Sequence, residues 1–201
     1  MPPSPKLNYV RGVVICHGKS ELQVARYIST NLRLGIKTYA KDNGKHSIQI
    51  TSLMDVLNAA PFKNSTAFTK EYLVEETGKG KNRRFPDFRL FIIMDTDDCT
   101  DEQREYFKDG SMFSGHWLRP YIVPIYDSPN LEEVLWKSGV IEKKPDKGNK
   151  ATTYEKVFPI NKKELSVDTI SQVNYLKKCL TGNTHTNLTE YIAYCLSLLP
   201  K

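Results

Sequence analysis

The stretch that decides the fold is Phe88-Arg-Leu-Phe-Ile-Ile-Met94, which runs directly into Asp95-Thr-Asp-Asp98. A mainly apolar run of this length, ended by polar residues, is typical of a strand buried on both faces of a parallel sheet. Two further runs, Arg11–Cys16 and Tyr121–Tyr126, have the same character. Pro124 lacks a backbone donor, so the last run is expected at a sheet edge or a bulge.

Helical patterns lie between these runs. Ser20 is predicted to cap a helix after the first run, where apolar residues recur at helical spacing. A further strand is predicted at Ile36–Ala40 or at Ser47–Ile50, and Asp42-Asn43-Gly44 would form a hairpin turn if both formed. Strands that alternate with helices indicate an α/β fold with a mostly parallel, Rossmann-like sheet flanked by helices.

The remaining segments complete the expected layout. Helices are predicted over residues 52–60 and 66–76, from Thr100 to about Lys108, and from Ser128-Pro129 onward. We expect an α/β domain over residues 1–150 and a C-terminal helical extension over residues 151–201 that packs on it. Two helices are predicted in that extension. The last of them places these apolar residues on one face: Leu188, Tyr191, Ile192, Cys195, Leu196 and Leu199.

The composition is that of a globular protein. The 201 residues are 39% hydrophobic and 26% charged, which excludes a mainly disordered chain. No stretch approaches 18 consecutive apolar residues and the N-terminus has no apolar signal core, so neither a membrane span nor secretion is expected. Four scattered cysteines without a CxxC pair indicate free thiols and a cytoplasmic location. The net charge of +6 permits a polyanionic partner.

Polar residues follow three of the predicted strands. They are Cys16-His-Gly-Lys-Ser-Glu21, Asp95-Thr-Asp-Asp98 and Tyr126-Asp-Ser-Pro-Asn-Leu-Glu-Glu133. Carboxylates spaced like Asp95 and Asp97 can hold one hard cation, Mg²⁺ or Mn²⁺. Such an ion could polarise a phosphoryl group and activate water. The spacing fits equally well a solvated turn with a helix cap, so both interpretations stay open.

Three other kinds of site fit the sequence poorly. Gly18-Lys-Ser20 would belong to a P-loop only with glycine five residues before Gly18, where Val13 stands. No GxSxG elbow exists in the chain, which excludes an α/β-hydrolase of that type. An aspartyl-nucleophile phosphatase is a distant option, because Cys99 stands where that pattern has threonine or valine.

The order of the motifs resembles that of the TOPRIM domain of topoisomerases, primases and OLD-type nucleases. An apolar strand leads into x-His-Gly-Lys-Ser-Glu and a helix, and a later apolar strand leads into Asp-x-Asp. The helix start Asn130-Leu-Glu-Glu133 is similar to that of small stand-alone TOPRIM-like proteins of the RloB and abortive-infection kind, which act in phage defence. The resemblance covers roughly residues 10 to 136.

The resemblance implies a set of site residues. In the family, the Asp-x-Asp pair and the glutamates bind Mg²⁺ and support phosphodiester cleavage or transfer. Carried over by position, Glu21 matches the second acid of the first motif, and Asp95 and Asp97 match the pair. Glu132 matches the late glutamate that assists catalysis, with Glu133 as the alternative.

His17 stands where the family has the glutamate of its first motif. Imidazole is a poor ligand for a hard cation. His17 could instead move a proton or contact a phosphate, as could Lys19. Equally, His17 could mark a site whose metal catalysis is weakened or lost.

Basic segments at 79–84 and 137–150 are expected to flank the site. Arg83, Arg84, Lys143 and Lys144 are the predicted contacts to a nucleic-acid backbone, although such runs are commonly only solvated loops. The leading hypothesis is Mg²⁺- or Mn²⁺-dependent cleavage of nucleic-acid phosphodiesters in antiphage defence. The alternative is an inactive TOPRIM-like module that binds nucleic acid or a protein partner from a defence system.

Overall fold

The computed structural model describes residues 8–78, 80–146, 148–160 and 167–200. Within them, four parallel strands form one sheet in the order β2-β1-β3-β4. The strands are β1 Gly12–Cys16, β2 Ile36–Tyr39, β3 Arg89–Asp95 and β4 Ile122–Asp127. The α/β fold with a parallel, Rossmann-like sheet is therefore confirmed, and so is the edge position of the strand that carries Pro124.

The register decides which residues meet at the ends of the strands. Cys16 of β1 lies opposite Ile93 of β3, and Asp95 of β3 lies opposite Asp127 of β4. The backbone N–H of His17 continues the ladder by donating to the carbonyl of Ile93 (2.9 Å). The three segments that follow β1, β3 and β4 therefore begin side by side at one edge, which we call the carboxyl end of the sheet.

Helices cover both faces of the sheet. They are α1 Lys19–Asn31, α2 Leu53–Leu57, α3 Ser65–Glu71, α4 Asp101–Lys108, α5 Leu131–Lys137, α6 Lys150–Val157, α7 Val167–Leu180 and α8 Leu188–Ser197. Alternate strand residues point to opposite faces, as the pleat of a strand requires. One face packs against α1 and α5–α8, and the other packs against α2–α4 and an aromatic cluster.

The C-terminal helices complete one of these layers. Their buried side chains belong to the same apolar cluster as those of α1 and α5. Tyr191 of α8 donates its hydroxyl to the carbonyl of Ala25 in α1 (3.1 Å). The expected burial of Leu188, Tyr191, Ile192 and Cys195 is confirmed. The described part of residues 151–200 contains most of three helices rather than two, and the division of the chain at residue 150 stays a prediction.

Of the two alternative strands, the one predicted at Ile36–Ala40 is confirmed as β2, and the hairpin that depended on both strands does not form. Residues 41–44 form a 3₁₀ turn in which Asp42, Asn43 and Gly44 all have positive φ, and β2 pairs only with β1, in parallel. Residues 47–50 form no strand, because the N–H of Ile48 donates to the carbonyl of His17 (2.7 Å) and Ile50 turns into the aromatic layer.

Several predicted helix boundaries also shift. Helix α1 is capped by Gly18 instead of Ser20. Helix α5 begins after its N-cap Asn130, whose side chain accepts from the N–H of Glu133, and not at Pro129. Helices α2 and α3 are shorter than predicted, whereas α4 has the expected capping box at Thr100. No described helix combines the length and the apolar character needed to cross a membrane.

Candidate functional site

Four carboxylates gather at the carboxyl end of the sheet, and we call them the acidic cluster. Glu21 lies in the first turn of α1, Asp95 ends β3, Asp127 ends β4 and Glu132 lies in the first turn of α5. The first three are 1%, 5% and 0% exposed, and the Glu132 side chain is 14% exposed. Acidic groups are rarely buried this far unless they are paired, so their grouping calls for a counter-charge.

The local fold fixes one oxygen of three of these carboxylates. Glu21 Oε2 accepts from the N–H of Gly18 (2.7 Å), and Asp95 Oδ1 accepts from the N–H of Leu131 (2.9 Å). Asp127 Oδ1 accepts from the hydroxyl of Thr186 (2.7 Å). These bonds orient each side chain through the start of the next helix or through the loop before α8.

The second oxygens are less well satisfied. Glu21 Oε1 and Asp127 Oδ2 are buried, and neither has a hydrogen-bond partner among the described residues. A buried acceptor without a partner lowers the free energy of unfolding. Such a group therefore calls for an explanation, for example a bound ion or a catalytic role. A ligand that supplies positive charge beside Glu21 would satisfy its free oxygen.

Like charges in a dry environment raise the proton affinity of the cluster. Burial, followed by the charges of Glu21, Asp127 and Glu132, raises the pKa of Asp95 to about 10. Burial is also the main reason why the pKa of Glu21 is raised and why that of Asp127 rises to about 7. The cluster therefore takes up protons at neutral pH unless a cation neutralises it.

Three cationic or titratable side chains lie beside the cluster, namely Lys150, Tyr154 and His17. The Lys150 ammonium, at the start of α6, lies 2.6 Å from Glu132 Oε1, and the Tyr154 hydroxyl donates to the same oxygen (3.3 Å). His17 Nε2 lies 3.9 Å from Asp95 Oδ2, too far for a hydrogen bond. His17 Nδ1 is buried and has no partner within the described ranges.

A cavity of about 310 Å³ opens onto this group. Its lining includes His17, Lys19, Glu21, Asp95 and Lys150, and the Lys19 side chain stands exposed at its rim. The loop after β2 forms one wall. Its residue 44 must be glycine, because φ is +81° and a Cβ there would lie 2.8 Å from the Cα of Lys19.

The carboxylate oxygens of the acidic cluster are chemically suited to bind a hard divalent ion. Carboxylate oxygens are the ligands that Mg²⁺ and Mn²⁺ take, and Glu21 Oε1 is a buried oxygen without a partner in the described chain. In the described ranges, however, no three His, Cys, Asp or Glu side chains stand close enough together to hold an ion. Lys150 and Tyr154 both contact Glu132 Oε1.

The predicted metal ligands are only partly brought together. Glu21 and Asp95 lie in the acidic cluster, but Asp97 is exposed and its Oδ2 accepts from the side-chain amide of Asn130 (3.2 Å). The strand alternation that would bring Asp97 to the same side ends at Asp95. There the chain turns, and the N–H of Thr96 donates to two carbonyls of the 127–129 segment.

Two acidic residues of this region were missed by the sequence analysis. Asp127 could have been found by the same signal as Asp95, because it also ends an apolar strand. Asp98 is the second: both of its carboxylate oxygens are buried and unpartnered in the described part of the chain. Burial raises the pKa of Asp98, while the nearby His17 lowers it. No local pattern separates Asp98 from a helix-capping turn.

The basic residues divide between the two ends of the sheet. Arg83 pairs with Glu76 (3.0 Å), and both Arg83 and Arg84 precede β3. The seven residues of β3 therefore separate them from the acidic cluster by about 20 Å, so they do not flank it as expected. Lys144 pairs with Glu133 in the first turn of α5, beside the cluster, and Lys143 is exposed next to it. Lys79 and Lys147 lie outside the described residues.

Comparison with known proteins does not assign this chain to a family. The chain matches no family model, no curated protein and no solved structure. The resemblance to the TOPRIM domain therefore stays a prediction, and the function has to be argued from the acidic cluster itself.

Proposed function

We propose that this protein cleaves nucleic-acid phosphodiester bonds with a divalent metal ion, Mg²⁺ or Mn²⁺, at the acidic cluster. The observation that supports this most is the burial of four carboxylates at one edge of a parallel sheet, with the pKa of Asp95 raised to about 10. Strongly perturbed carboxyl groups beside a cavity are typical of functional sites.

Glu21 and Asp95, which line the cavity, would hold the ion, and Glu132 would have to move away from Lys150 and Tyr154 to assist them. The ion would polarise a phosphoryl oxygen and lower the pKa of a bound water. Asp127 is buried behind Asp95 and adds negative charge to the cluster. Its own carboxylate is held in place by Thr186.

The other residues around the cavity have supporting roles in this proposal. His17 would accept or donate a proton, since it lies beside Asp95 and its Nδ1 has no partner in the described structure. Lys19 would contact a phosphate from the rim. Lys143 and Lys144 would extend this positive surface along the backbone of a bound strand, on the α5 side.

A second candidate function is favoured by the pair between Lys150 and Glu132. An acidic cluster that already has an ammonium on one of its carboxylates can be stable without a metal. In that case the same face would bind nucleic acid, or a protein partner in phage defence, without cleaving it.

A cleavage assay separates the two functions. Labelled single- and double-stranded DNA and RNA would be incubated with Mg²⁺, Mn²⁺ or EDTA. Asp95→Asn is the test variant, because the amide keeps the oxygen that accepts from Leu131. Asp87→Asn, an exposed acid at the opposite end of the sheet, is the matched control.

We expect cleavage by the wild type and by Asp87→Asn only with a divalent ion. Asp95→Asn should lose at least about 100-fold, the upper range for residues that merely support a metal ligand. Cleavage that persists in EDTA, or an active Asp95→Asn protein, would overturn the proposal. Binding of nucleic acid without cleavage under any condition would favour the second candidate.

A further inference from the structure

A second cavity, of about 290 Å³, lies at the amino end of the sheet. Its walls come largely from the segment that precedes β3 and from the turn that precedes β4, so it lies at the opposite end from the acidic cluster. Its lining includes three aromatic residues and two arginines: Phe85, Trp117, Tyr121, Arg83 and Arg84. None of the described residues that line it is acidic. The cavity therefore combines aromatic surface with positive charge.

Hydrogen bonds and ring contacts hold the aromatic wall in place. The indole N–H of Trp117 donates to the carbonyl of Phe62 (2.7 Å), and the Tyr121 hydroxyl accepts from the N–H of Phe85 (3.2 Å). The rings of Phe68 and Phe85 meet the Trp117 ring edge on, with centroids 5.6 Å and 6.1 Å from it. Trp117 and Tyr121 are partly exposed. Because this wall is already ordered, a planar ring that stacks on it pays little conformational entropy.

A short antiparallel pairing positions the two arginines. Thr77 and Arg84 exchange two backbone hydrogen bonds, of 2.9 Å and 2.8 Å. The Arg83 guanidinium pairs with Glu76 (3.0 Å), which neutralises part of its charge. Arg84 is exposed and donates to the carbonyl of Arg83 (2.9 Å). A guanidinium has five N–H donors, enough to keep such bonds and hold an anion as well, so Arg84 is the expected anion contact.

The lining suits a planar ligand that carries negative charge. Aromatic side chains stack on nucleobases, and arginine binds phosphate through a planar fork of donors. A nucleotide carries both groups on one small molecule. The volume is close to the lower end of the range for ligand sites, about 300–1,000 Å³. It therefore suits a single nucleotide better than a length of nucleic acid.

We propose that the cavity at the amino end binds a free nucleotide, whose base stacks against Trp117 and Tyr121 and whose phosphate contacts Arg84. This binding site is separate from the acidic cluster and needs no metal ion. The proposal goes beyond the proposed function, and its test does not depend on cleavage.

Tryptophan fluorescence can report on this cavity. The chain has two tryptophans, and Trp136 lies on α5, outside the cavity. In the Trp136→Phe protein, Trp117 is the single tryptophan, so a base that stacks on it should quench the signal. Adenosine, guanosine, cytidine and uridine monophosphates would be titrated separately into this protein. We expect saturable quenching by at least one of them.

The main variant removes the expected phosphate contact. In the Trp136→Phe background, Arg84→Gln should weaken binding by at least about tenfold, because charge-assisted hydrogen bonds to the phosphate are lost. Arg119→Gln is the matched control, since Arg119 is exposed and its guanidinium lies beside Gly110, outside the cavity. Its affinity should equal that of the parent. Equal losses in the two variants would show a general charge effect and overturn the proposal.

Calorimetry tests the aromatic contact and the two halves of the ligand. Trp117→Leu should bind the nucleotide at least about fivefold more weakly than the wild type, because base stacking is lost. Adenosine and inorganic phosphate should each bind the wild type at least about tenfold more weakly than the nucleotide, since each lacks one of its two groups. Phosphate that binds as tightly as the nucleotide would indicate a plain anion site and overturn the assignment.

Thermal unfolding gives a further readout that needs no tryptophan. A saturating nucleotide should raise the unfolding temperature of the wild type and of Arg119→Gln by more than that of Arg84→Gln. Absence of binding by all four monophosphates overturns the proposal, and so does binding of short single-stranded oligonucleotides without binding of monophosphates. Neither result bears on the acidic cluster, so failure of this proposal and failure of the proposed function remain distinguishable.

Discussion

Charged side chains are exposed at the amino end of the parallel sheet and buried at its carboxyl end. At the amino end, Arg11 lies 3.0 Å from Asp87 and 3.4 Å from Glu75, and all three side chains are at least 38% exposed. At the carboxyl end, Glu21 and Asp95 are almost fully buried beside further carboxylates. The strands are shared, so the difference lies in the segments that connect them.

The contrast has an energetic meaning. Exposed ion pairs such as those of Arg11 contribute about 0–1 kcal/mol and place little demand on the fold. Buried like charges destabilise the folded state until protons or a cation neutralise them. Such costs are typical of functional sites, and for this reason we propose the carboxyl end as the functional one.

The largest expected effect is a gain in stability when a charge is removed from the carboxyl end. In EDTA at pH 7, Asp95→Asn should raise the free energy of unfolding by roughly 1–4 kcal/mol, because the variant no longer has to take up a proton on folding. Urea unfolding of the two proteins measures the difference. The neutral side chain still accepts from Leu131, so the local fold is kept.

The raised pKa of Asp95 also predicts how the free energy of unfolding changes with pH. The pKa of Asp95 is about 10 in the folded protein and near 3.8 when unfolded, so the folded state binds more protons between these values. The free energy of unfolding therefore falls as pH rises through this window. Asp127, with a pKa of about 7, acts in the same direction only at lower pH.

Measurements in EDTA between pH 7.5 and 9 isolate this effect. The stability of the wild type and of Asp87→Asn should fall with pH, whereas Asp95→Asn should show a shallower slope. Equal slopes in all three proteins would mean that Asp95 is not strongly perturbed, and the contrast between the ends would lose its main support.

The next effect concerns the basic residues, which the structure divides between the ends. If nucleic acid binds at the carboxyl end, Lys143→Gln and Lys144→Gln should each reduce the slope of log affinity against log salt by about one unit. Arg83→Gln should leave the slope unchanged, since Arg83 lies at the amino end. Binding measured by fluorescence anisotropy at several salt concentrations tests this, and a change only in Arg83→Gln would reverse the assignment.

The sequence was a good guide to the sheet and a partial guide to the site. Strand β3 and the position of Asp95 followed from one apolar run that ends in acids, a local signal. The place of Asp97 did not follow, because the turn after Asp95 is set by contacts with the 127–129 segment. The contact between Lys150 and Glu132 depends on how α6 packs on α1, which no pattern along the chain specifies.

Arg83 and Arg84 were expected beside the candidate site, and this error could have been avoided from the sequence alone. A segment that precedes a parallel strand lies at its amino end, whereas ligands bind beyond the carboxyl ends. Both arginines precede β3 and could have been placed away from the cluster on that ground.

A smaller effect is expected from a partly buried hydroxyl at the amino end. The hydroxyl of Tyr194 lies 2.7 Å from the carbonyl of Arg11 and 3.0 Å from that of Asp87, so it joins α8 to the starts of β1 and β3. Tyr194→Phe should lower the free energy of unfolding by about 1 kcal/mol, the usual worth of one hydrogen bond. The proposed cleavage activity and metal binding should not change, and a loss of either would show that the two ends are coupled.

The smallest effect is expected for the exposed pair itself. A double-mutant cycle with Arg11→Met and Asp87→Asn should give a coupling energy of about 0.2–1 kcal/mol, and this energy should shrink further as salt is added. Urea unfolding of the four proteins measures it. A coupling above about 2 kcal/mol would place the amino end outside the range of exposed ion pairs. The charges at the amino end would then contribute more to stability than exposed pairs usually do, and the energetic contrast between the two ends would be weaker.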